Sequence, residues 1–409
     1  MHCLIFCAGT HGDCFPFLTL GRHLRRRGHR VTVVAPPVYA ESPVLDGIAF
    51  QPLCSLPEYE RLIADAAMLA GRYSLFFCRD HAVRWNVTAW RAIKALNARD
   101  LLVVAPDQPF FWADAAAKSQ LGCNAVRVAV FLPRINQGTP RNPSGIPRLL
   151  PYGRIQEHLE ATLALHWHEA ALEAGIPAGS ASRKALNRER LAIPVAALWP
   201  DWLAGGIGEE RNVHPFGFLL PDPGCRSFPE SHIAPDMPPT EDHVVFKRGL
   251  TDPWPTRFYS TAIAACRKLG LRGLLLDEVP PPVELPPEVI WRRFVPMDRA
   301  LRNARSIVYN GGIGTAAASL QRGVPQIVVP RWFDQPRNAE CMRRLGVAGV
   351  IPPDRYTPET LCRQLERLNG SQYRKRSSEV SGRAGLSADA IKICEFFEAV
   401  GGHSLARRF

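Results

Sequence analysis

Short apolar runs alternate with helix-patterned segments along most of this chain, and the alternation breaks once, over a proline-rich polar stretch. The runs "CLIFCAG", "HRVTVVAP", "IAFQPL", "DLLVVAP", "NAVRVAVFLP" and "IPVAALWP" precede the break. "VVFKRG", "RGLLLDE", "EVIWRRFVP", "SIVYNGG" and "PQIVVP" follow it. Apolar runs of this length read as strands buried on both faces. Such strands, separated by helices, call for a parallel sheet covered by helices on both sides. The break, "PDPGCRSFPESHIAPDMPPTEDH" at 221–243, reads as a linker. The expected organisation is α/β: a Rossmann-like domain over 1–220, the linker at 221–243, a second Rossmann-like domain over 244–385, and a C-terminal helix within 386–409 that packs back on the first domain. The 409 residues, 46% of them hydrophobic, suffice for two substantial cores. No sequence repeat links the halves. A cleft at the carboxyl ends of their strands is the default ligand site.

Composition narrows the function classes. The net charge of +12 is mostly arginine, spread along the chain rather than gathered in one tract. That pattern reads as an arginine-rich surface and not as a nucleic-acid face; it is compatible with anionic substrates or with the inner face of a membrane. The 11 cysteines form no CxxC pair, so buried, reduced thiols in a cytoplasmic protein are expected rather than disulfides or zinc. The start "MHCLIFCAGTHGD" lacks the basic leader of a signal peptide. No apolar run reaches the roughly 18 residues of a membrane-spanning helix. In "PFLTLGRHLRRRG", Pro16 takes the first helical position and Gly28 the stop. Residues 134–151 interrupt the rhythm, and a helix pattern follows at about 152–174; insertions of this kind shape binding sites.

The sharpest local feature is "YNGGIGTAAASLQRGVP" at 309–325, a strand end, a glycine turn and a helix. Gly311, Gly312 and Gly314 allow a tight turn and close approach of backbone to a ligand. The helix start offers unpaired N–H groups with positive partial charge, and Thr315 adds a hydroxyl; together they suit a phosphate. Alone, the turn is ambiguous. Gly312-x-Gly314-x-x-Ala317 also fits a dinucleotide fingerprint, with Asp334 twenty residues past Gly314. However, "QIVVP" closes at Pro330, which leaves Asp334 in a loop beyond the strand. An NAD(P) or flavin oxidoreductase is therefore an alternative that the flanks disfavour.

The longer stretch "FVPMDRALRNARSIVYNGGIGTAAASLQRGVPQIVVPRWFDQPRNAE" resembles the donor-binding region of nucleotide-sugar glycosyltransferases of the GT-B fold. The resemblance is to UDP-glycosyltransferase-like enzymes of the antibiotic, sterol and rhamnolipid type. "GTHGDCFPFLTLGRHLRRRGHRVT" is similar to that family's first loop and helix. The likeness is good at both ends of the chain and thin over 40–95 and 130–190. It implies two Rossmann-like domains with parallel sheets facing a central cleft. It further implies a bacterial, inverting, metal-independent hexosyltransferase. The donor would be a UDP- or dTDP-sugar, a co-substrate rather than a resident cofactor. The acceptor would be a hydroxyl of a small hydrophobic or lipid-like molecule, in natural-product or glycolipid biosynthesis.

The resemblance also implies residue roles. Phe294 would stack on the pyrimidine, with main-chain groups from Val295 and Met297. The turn from Asn310 to Thr315 would hold the diphosphate. Asp334 and Gln335 suit bidentate contacts with sugar hydroxyls, and Asn338 would brace that loop or reach a phosphate. Relatives usually carry histidine where this chain has Asn310, which donates a hydrogen bond but carries no charge. "VVFKRGLTDP" stands where relatives show a small Gly/Ser/Thr loop, so Lys247 or Arg248 is a candidate for the missing charge. Inversion needs a base within hydrogen-bond reach of the acceptor hydroxyl. Asp13 matches the family position for that base, and His11 is its rival in the same loop. Asp107 could partner a histidine base, but an aspartate base needs no such partner, and two close carboxylates would raise a pKa. Phe110, Phe111 and Trp112 are candidate acceptor-pocket walls, with Phe131 and Leu132 nearby. His166 and His168, two apart, share no helix face and with His158 make no metal site. A non-catalytic nucleotide-sugar-binding activator is the second alternative, prompted by Asn310.

Overall fold

The computed structural model describes residues 1–42, 45–61, 79–96, 98–107, 111–130, 172–175, 183–204, 212–220, 242–249, 255–331 and 334–402. The described residues form two compact units: the first holds Met1–Arg61, the residues from Arg79 to Leu219 and the chain from Ala388, and the second holds those within Leu220–Ser387.

In the first unit the order is β1 (His2–Phe6), α1 (His11–Arg26), β2 (Arg30–Ala35), β3 (Ala49–Pro52), α2 (Arg79–Lys94), β4 (Leu101–Pro106), α3 (Ala113–Leu121), β5 (Asn124–Ala129), α4 (Arg183–Ala192), β6 (Val195–Ala197), α5 (Asp201–Ala204) and β7 (Val213–Pro215). All strand pairs are parallel, in the order β3-β2-β1-β4-β5-β6-β7. Strands β1 and β4 are buried along their whole length. That burial explains their unbroken apolar sequence. Each such large aliphatic side chain contributes roughly 1.5–3 kcal/mol.

Helix α1 begins at His11, five residues before the start expected at Pro16. Thr10 is the N-cap and Asp13 the third helical residue, and their pairing supplies an earlier start signal. Pro16 then sits inside the helix, where it leaves one i→i−4 hydrogen bond unmade.

The second unit contains β8 (His243–Lys247), α6 (Pro255–Leu269), β9 (Arg272–Leu276), β10 (Val289–Arg292), α7 (Met297–Ala300), β11 (Ala304–Tyr309), α8 (Ile313–Gln321), β12 (Gln326–Val328), α9 (Gln335–Arg344), β13 (Ala348–Val350), α10 (Pro358–Leu368) and α11 (Ser371–Ser381). Its sheet is also parallel, in the order β10-β9-β8-β11-β12-β13. β8 opens at His243, so that residue of the expected linker is strand; 221–241 lie outside the described residues. The last helix, α12 (Ala390–Val400), belongs to the first unit and packs on α1. Arg27 donates two 2.7 Å hydrogen bonds to Glu398, and His29 Nε2 lies 2.8 Å from the same carboxylate.

In both sheets the chain order reverses beside the first strand, between β1 and β4 and between β8 and β11. At such switch points the loops leave in opposite directions and open a crevice at the carboxyl ends. The loop after β1 carries residues 7–10 and leads into His11–Asp13 at the start of α1, and the loops after β8 and β11 carry 248–249 and 310–312. Among the described residues, no helix is long and apolar enough to cross a membrane. Among them, too, no cysteine is in a disulfide, and Cys3, Cys7, Cys14, Cys123, Cys266, Cys362 and Cys394 are buried.

Candidate active site

The first switch-point loop is built around Asp13. Its Oδ2 accepts from the Thr10 N–H at 2.7 Å and the Thr10 hydroxyl at 2.9 Å. Gly9, at φ +120°, lies against the same carboxylate; a Cβ there would sit 2.7 Å from Asp13 Cγ. Only glycine meets both demands. Burial pushes Asp13 up to about 6, against the opposing pull of the two Thr10 bonds. A carboxyl poised there ionises near neutral pH yet remains basic enough to take a proton. His11, at the first position of α1, stacks on Phe15 at 5.3 Å, and its Nδ1 lies 2.8 Å from the Tyr39 hydroxyl. Tyr59 donates to the Gly9 carbonyl at 3.2 Å. Thr10 and Gly9 were absent from the residues read as functional, although Thr10-x-x-Asp13 is itself a capping-box pattern.

Asp107 faces arginines instead of a histidine: Arg127 and Arg190 each approach it at 3.4 Å. Arg127, fully buried, also pairs with buried Asp114 at 2.6 Å and donates to the Phe111 carbonyl at 3.0 Å. This network ties β5 to α3 and leaves Asp107 a structural ion pair.

Phe111 and Trp112 stand immediately before α3. They are 3% and 1% exposed, within the core of the first unit. Phe111 packs on Phe6 at 5.5 Å, and the Trp112 backbone N–H donates to Asn86 Oδ1 at 2.9 Å, which ties the start of α3 to α2. Phe110, Phe131, Leu132, His158, His166 and His168 lie outside the described residues.

In the second unit the glycine turn follows β11. Gly311 has φ +95°, and a Cβ there would lie 3.0–3.2 Å from Val328 and Gln335. Gly312 caps α8 in an extended conformation; Gly314 and the buried Thr315 form its first turn. Asn310 folds over the turn: its Oδ1 accepts from the Gly312 N–H at 3.4 Å. Its Nδ2 rests on Gly249, where an added Cβ would overlap it. Asn338, fully buried, donates from one Nδ2 to the Gly311 carbonyl at 2.9 Å and to Asp334 Oδ2 at 2.6 Å. Of the two roles foreseen for Asn338, bracing is the one its contacts display. It ties the glycine turn to the Asp334 loop. Asp334 is half-buried at the N-cap of α9, whereas Gln335 is 6% exposed and its Oε1 accepts from the Arg331 N–H at 2.9 Å. Gln335 thus closes its own loop through Oε1. Phe294 and Met297 are half-buried in the turn between β10 and α7, and Val295 is buried.

The two candidate cations separate clearly. Arg248 grips Asp277 with Nε at 2.6 Å and a terminal nitrogen at 3.0 Å, and Tyr259 donates to the same carboxylate at 2.7 Å. Its charge is matched by a buried anion. Lys247 ends β8 in register with Tyr309, the residue before Asn310, and is half-buried. Among the described residues, no group of three or more His, Cys, Asp or Glu gathers to hold a metal ion.

Residues 277–389 match the C-terminal domain of the erythromycin biosynthesis protein CIII-like family. The chain is 27% identical to an uncharacterised glycosyltransferase of Mycobacterium leprae, over 94% of this chain and 93% of that one. It is 26% identical to O-mycaminosyltylonolide 6-deoxyallosyltransferase of Streptomyces fradiae, over 97% and 98%. Among solved structures, the glycosyltransferase of kitacinnamycin superposes with a TM-score of 0.70 at 22% identity, covering 98% of both chains. Glycosyltransferase VinC in complex with dTDP superposes at 0.62 and 18%, covering 99% and 100%. The two parallel sheets with their helices are the GT-B fold, and these relatives, matched along nearly the whole chain, are named glycosyltransferases.

Proposed function

We propose that this chain, a GT-B glycosyltransferase by fold and by its relatives, moves a sugar from a dTDP- or UDP-sugar to a hydroxyl of a small, apolar natural-product acceptor, with inversion and without metal. The reading is carried by what each unit offers by itself at its own switch point. One offers a carboxyl raised to about 6, and the other a glycine turn braced by Asn338 to the Asp334 loop.

In this mechanism Asp13 takes the acceptor's proton as the hydroxyl oxygen forms its bond to the anomeric carbon. The bond from that carbon to the diphosphate oxygen breaks, and the leaving charge settles on the turn amides and the start of α8. Phe294, half-buried rather than locked in the core, supports base stacking; Asp334, the more exposed of its pair, supports sugar contact. VinC, solved with dTDP, supports a thymidine nucleotide as the donor's nucleotide. The tylonolide-directed relative supports a natural-product acceptor. Buried, unlinked cysteines fit a reducing cytoplasmic compartment.

The test begins with thermal shift against a panel of dTDP- and UDP-sugars, because a ligand of the native state raises its melting temperature. The best donor is then followed for hydrolysis and transfer in EDTA. Turnover that survives EDTA and disappears in Asp13→Ala is expected. Strict Mg²⁺ dependence contradicts the metal-free reading, and binding without turnover, unchanged by Asp13→Ala, replaces the enzyme with an activator.

A further inference from the structure

The donor reading leaves the diphosphate short of a fixed positive charge, because residue 310 is asparagine. Asn310 is held by Gly312 and Gly249 and offers an amide, which is neutral at every pH. Two cations follow Phe246 at the end of β8, and the tertiary structure treats them differently. Arg248 has Nε and a terminal nitrogen on Asp277, whose side chain is 3% exposed, and Tyr259 completes that cluster. Turning its guanidinium toward a phosphate would strip Asp277 of its counter-ion in a buried setting. The Lys247 side chain makes no hydrogen bond and no ion pair within 4 Å among the described residues; the charges that act on it are Asp277, Glu278 and Arg248. It lies opposite Tyr309 in the β8–β11 register, and Gly249, two residues on, touches the Asn310 side chain. The loops after β8 and β11 therefore meet where the chain order of the sheet reverses.

We propose that Lys247, and not Arg248, supplies the positive charge that binds the diphosphate of the nucleotide donor, in place of a histidine at 310; this assignment rests on the donor reading above. Lysine suits the task as a flexible point charge with three donors that can follow two phosphates. Burial also lowers the Lys247 pKa, with Asp277 and Glu278 opposing the shift. A dianionic ligand arriving beside it restores the favourable environment for the ammonium.

The test is calorimetric titration of the full chain with dTDP, UDP, thymidine and uridine, on wild type, Lys247→Ala and Lys247→Met; the Met variant retains much of the stem. Loss of one charge-assisted contact predicts binding of the diphosphates about ten-fold weaker or more, with nucleoside affinity unchanged. The wild-type dissociation constant for dTDP should also rise more steeply with salt than that of either variant. Adding Asn310→His to Lys247→Ala should recover affinity at pH 6 and less at pH 8, as a histidine gains or loses its charge. Diphosphate affinity within about two-fold of wild type in Lys247→Met, a folded protein by circular dichroism, overturns the assignment. Equal losses for thymidine and dTDP overturn it too, since that reports a general disturbance of the loop. Failure of the wild-type chain to bind any of the four ligands is a different result: it overturns the donor reading itself.

Discussion

Replacing Thr10 with alanine removes one of the two donors on the Asp13 carboxylate, and the acidic limb of the pH–rate profile is expected to move up. The Thr10 hydroxyl lies 2.9 Å from Oδ2, while the Thr10 N–H at 2.7 Å survives the substitution. A hydrogen bond to a charged group is worth roughly 1.5–3 kcal/mol, and one pKa unit corresponds to about 1.4 kcal/mol. Asp13 starts at about 6 in the native protein. Allowing for water that takes over part of the lost bond, the shift is about one unit. At pH 6 the ionised fraction then falls from about a half to about a tenth, and kcat/KM drops roughly five-fold. At pH 8 the two proteins differ by less than about two-fold. The assay is kcat/KM for donor consumption from about pH 5 to 9, beside Thr10→Ser, which keeps the hydroxyl and should keep the limb in place. Loss of the N-cap also lowers stability by about 1 kcal/mol, so melts are recorded at each pH. An acidic limb that stays put in folded Thr10→Ala refutes the reasoning, because the titrating base would then not be Asp13.

Three further outcomes are expected. Asp13 has a folded pKa above its unfolded value of 3.8, so its contribution to stability is full below 3.8 and lost as pH rises through about 6. Asp13→Asn should therefore abolish transfer yet raise the melting temperature at pH 8, by at most about 3 kcal/mol of stability; an unchanged or lower melting temperature contradicts the burial account. Gly249→Ala places a methyl on the Asn310 amide and should weaken dTDP binding about ten-fold with a native circular dichroism spectrum; full affinity would remove Asn310 from the donor site. Glu398→Ala leaves Arg27 and His29 without their shared carboxylate and should cost about 1–3 kcal/mol in urea unfolding at pH 8. Because those partners lower the Glu398 pKa, the deficit should shrink as pH falls below 4.5 and through the folded value; a deficit independent of pH points to packing alone.

Much of the fold is legible locally because a strand buried on both faces has nowhere to put a polar side chain. Each of the eleven apolar runs contains a strand, and the glycine-rich stretch contains a tight turn before a helix. The strands β7 ("VHP") and β13 ("AGV") escaped notice because each has three residues broken by a histidine or a glycine, whereas the equally short β6 and β12 sit in longer apolar runs. The start of α1 was misplaced because Pro16 was weighed above the Thr10–Asp13 capping pair, a signal equally local.

What only the tertiary structure decided is which side chains meet. Asp277 lies 29 residues from Arg248, and no spacing rule predicts that it takes up this guanidinium while the adjacent Lys247 is left without such a partner. That Phe111 packs on Phe6 and that Trp112 lies in the core of the first unit could not be read along the chain, since an aromatic's sequence context does not say which side of a sheet is covered. Strand order is equally invisible along the chain. It places the Asp13 loop and the Asn310 turn at the reversals of their two sheets, because parallel pairing beside the first strand is set by contacts far apart in sequence. The sequence alone determined the element types, the glycine turn and the family likeness, all of which rest on short-range pattern. Folding determined charge pairing, burial and position at the switch points, which rest on residues brought together from distant parts of the chain.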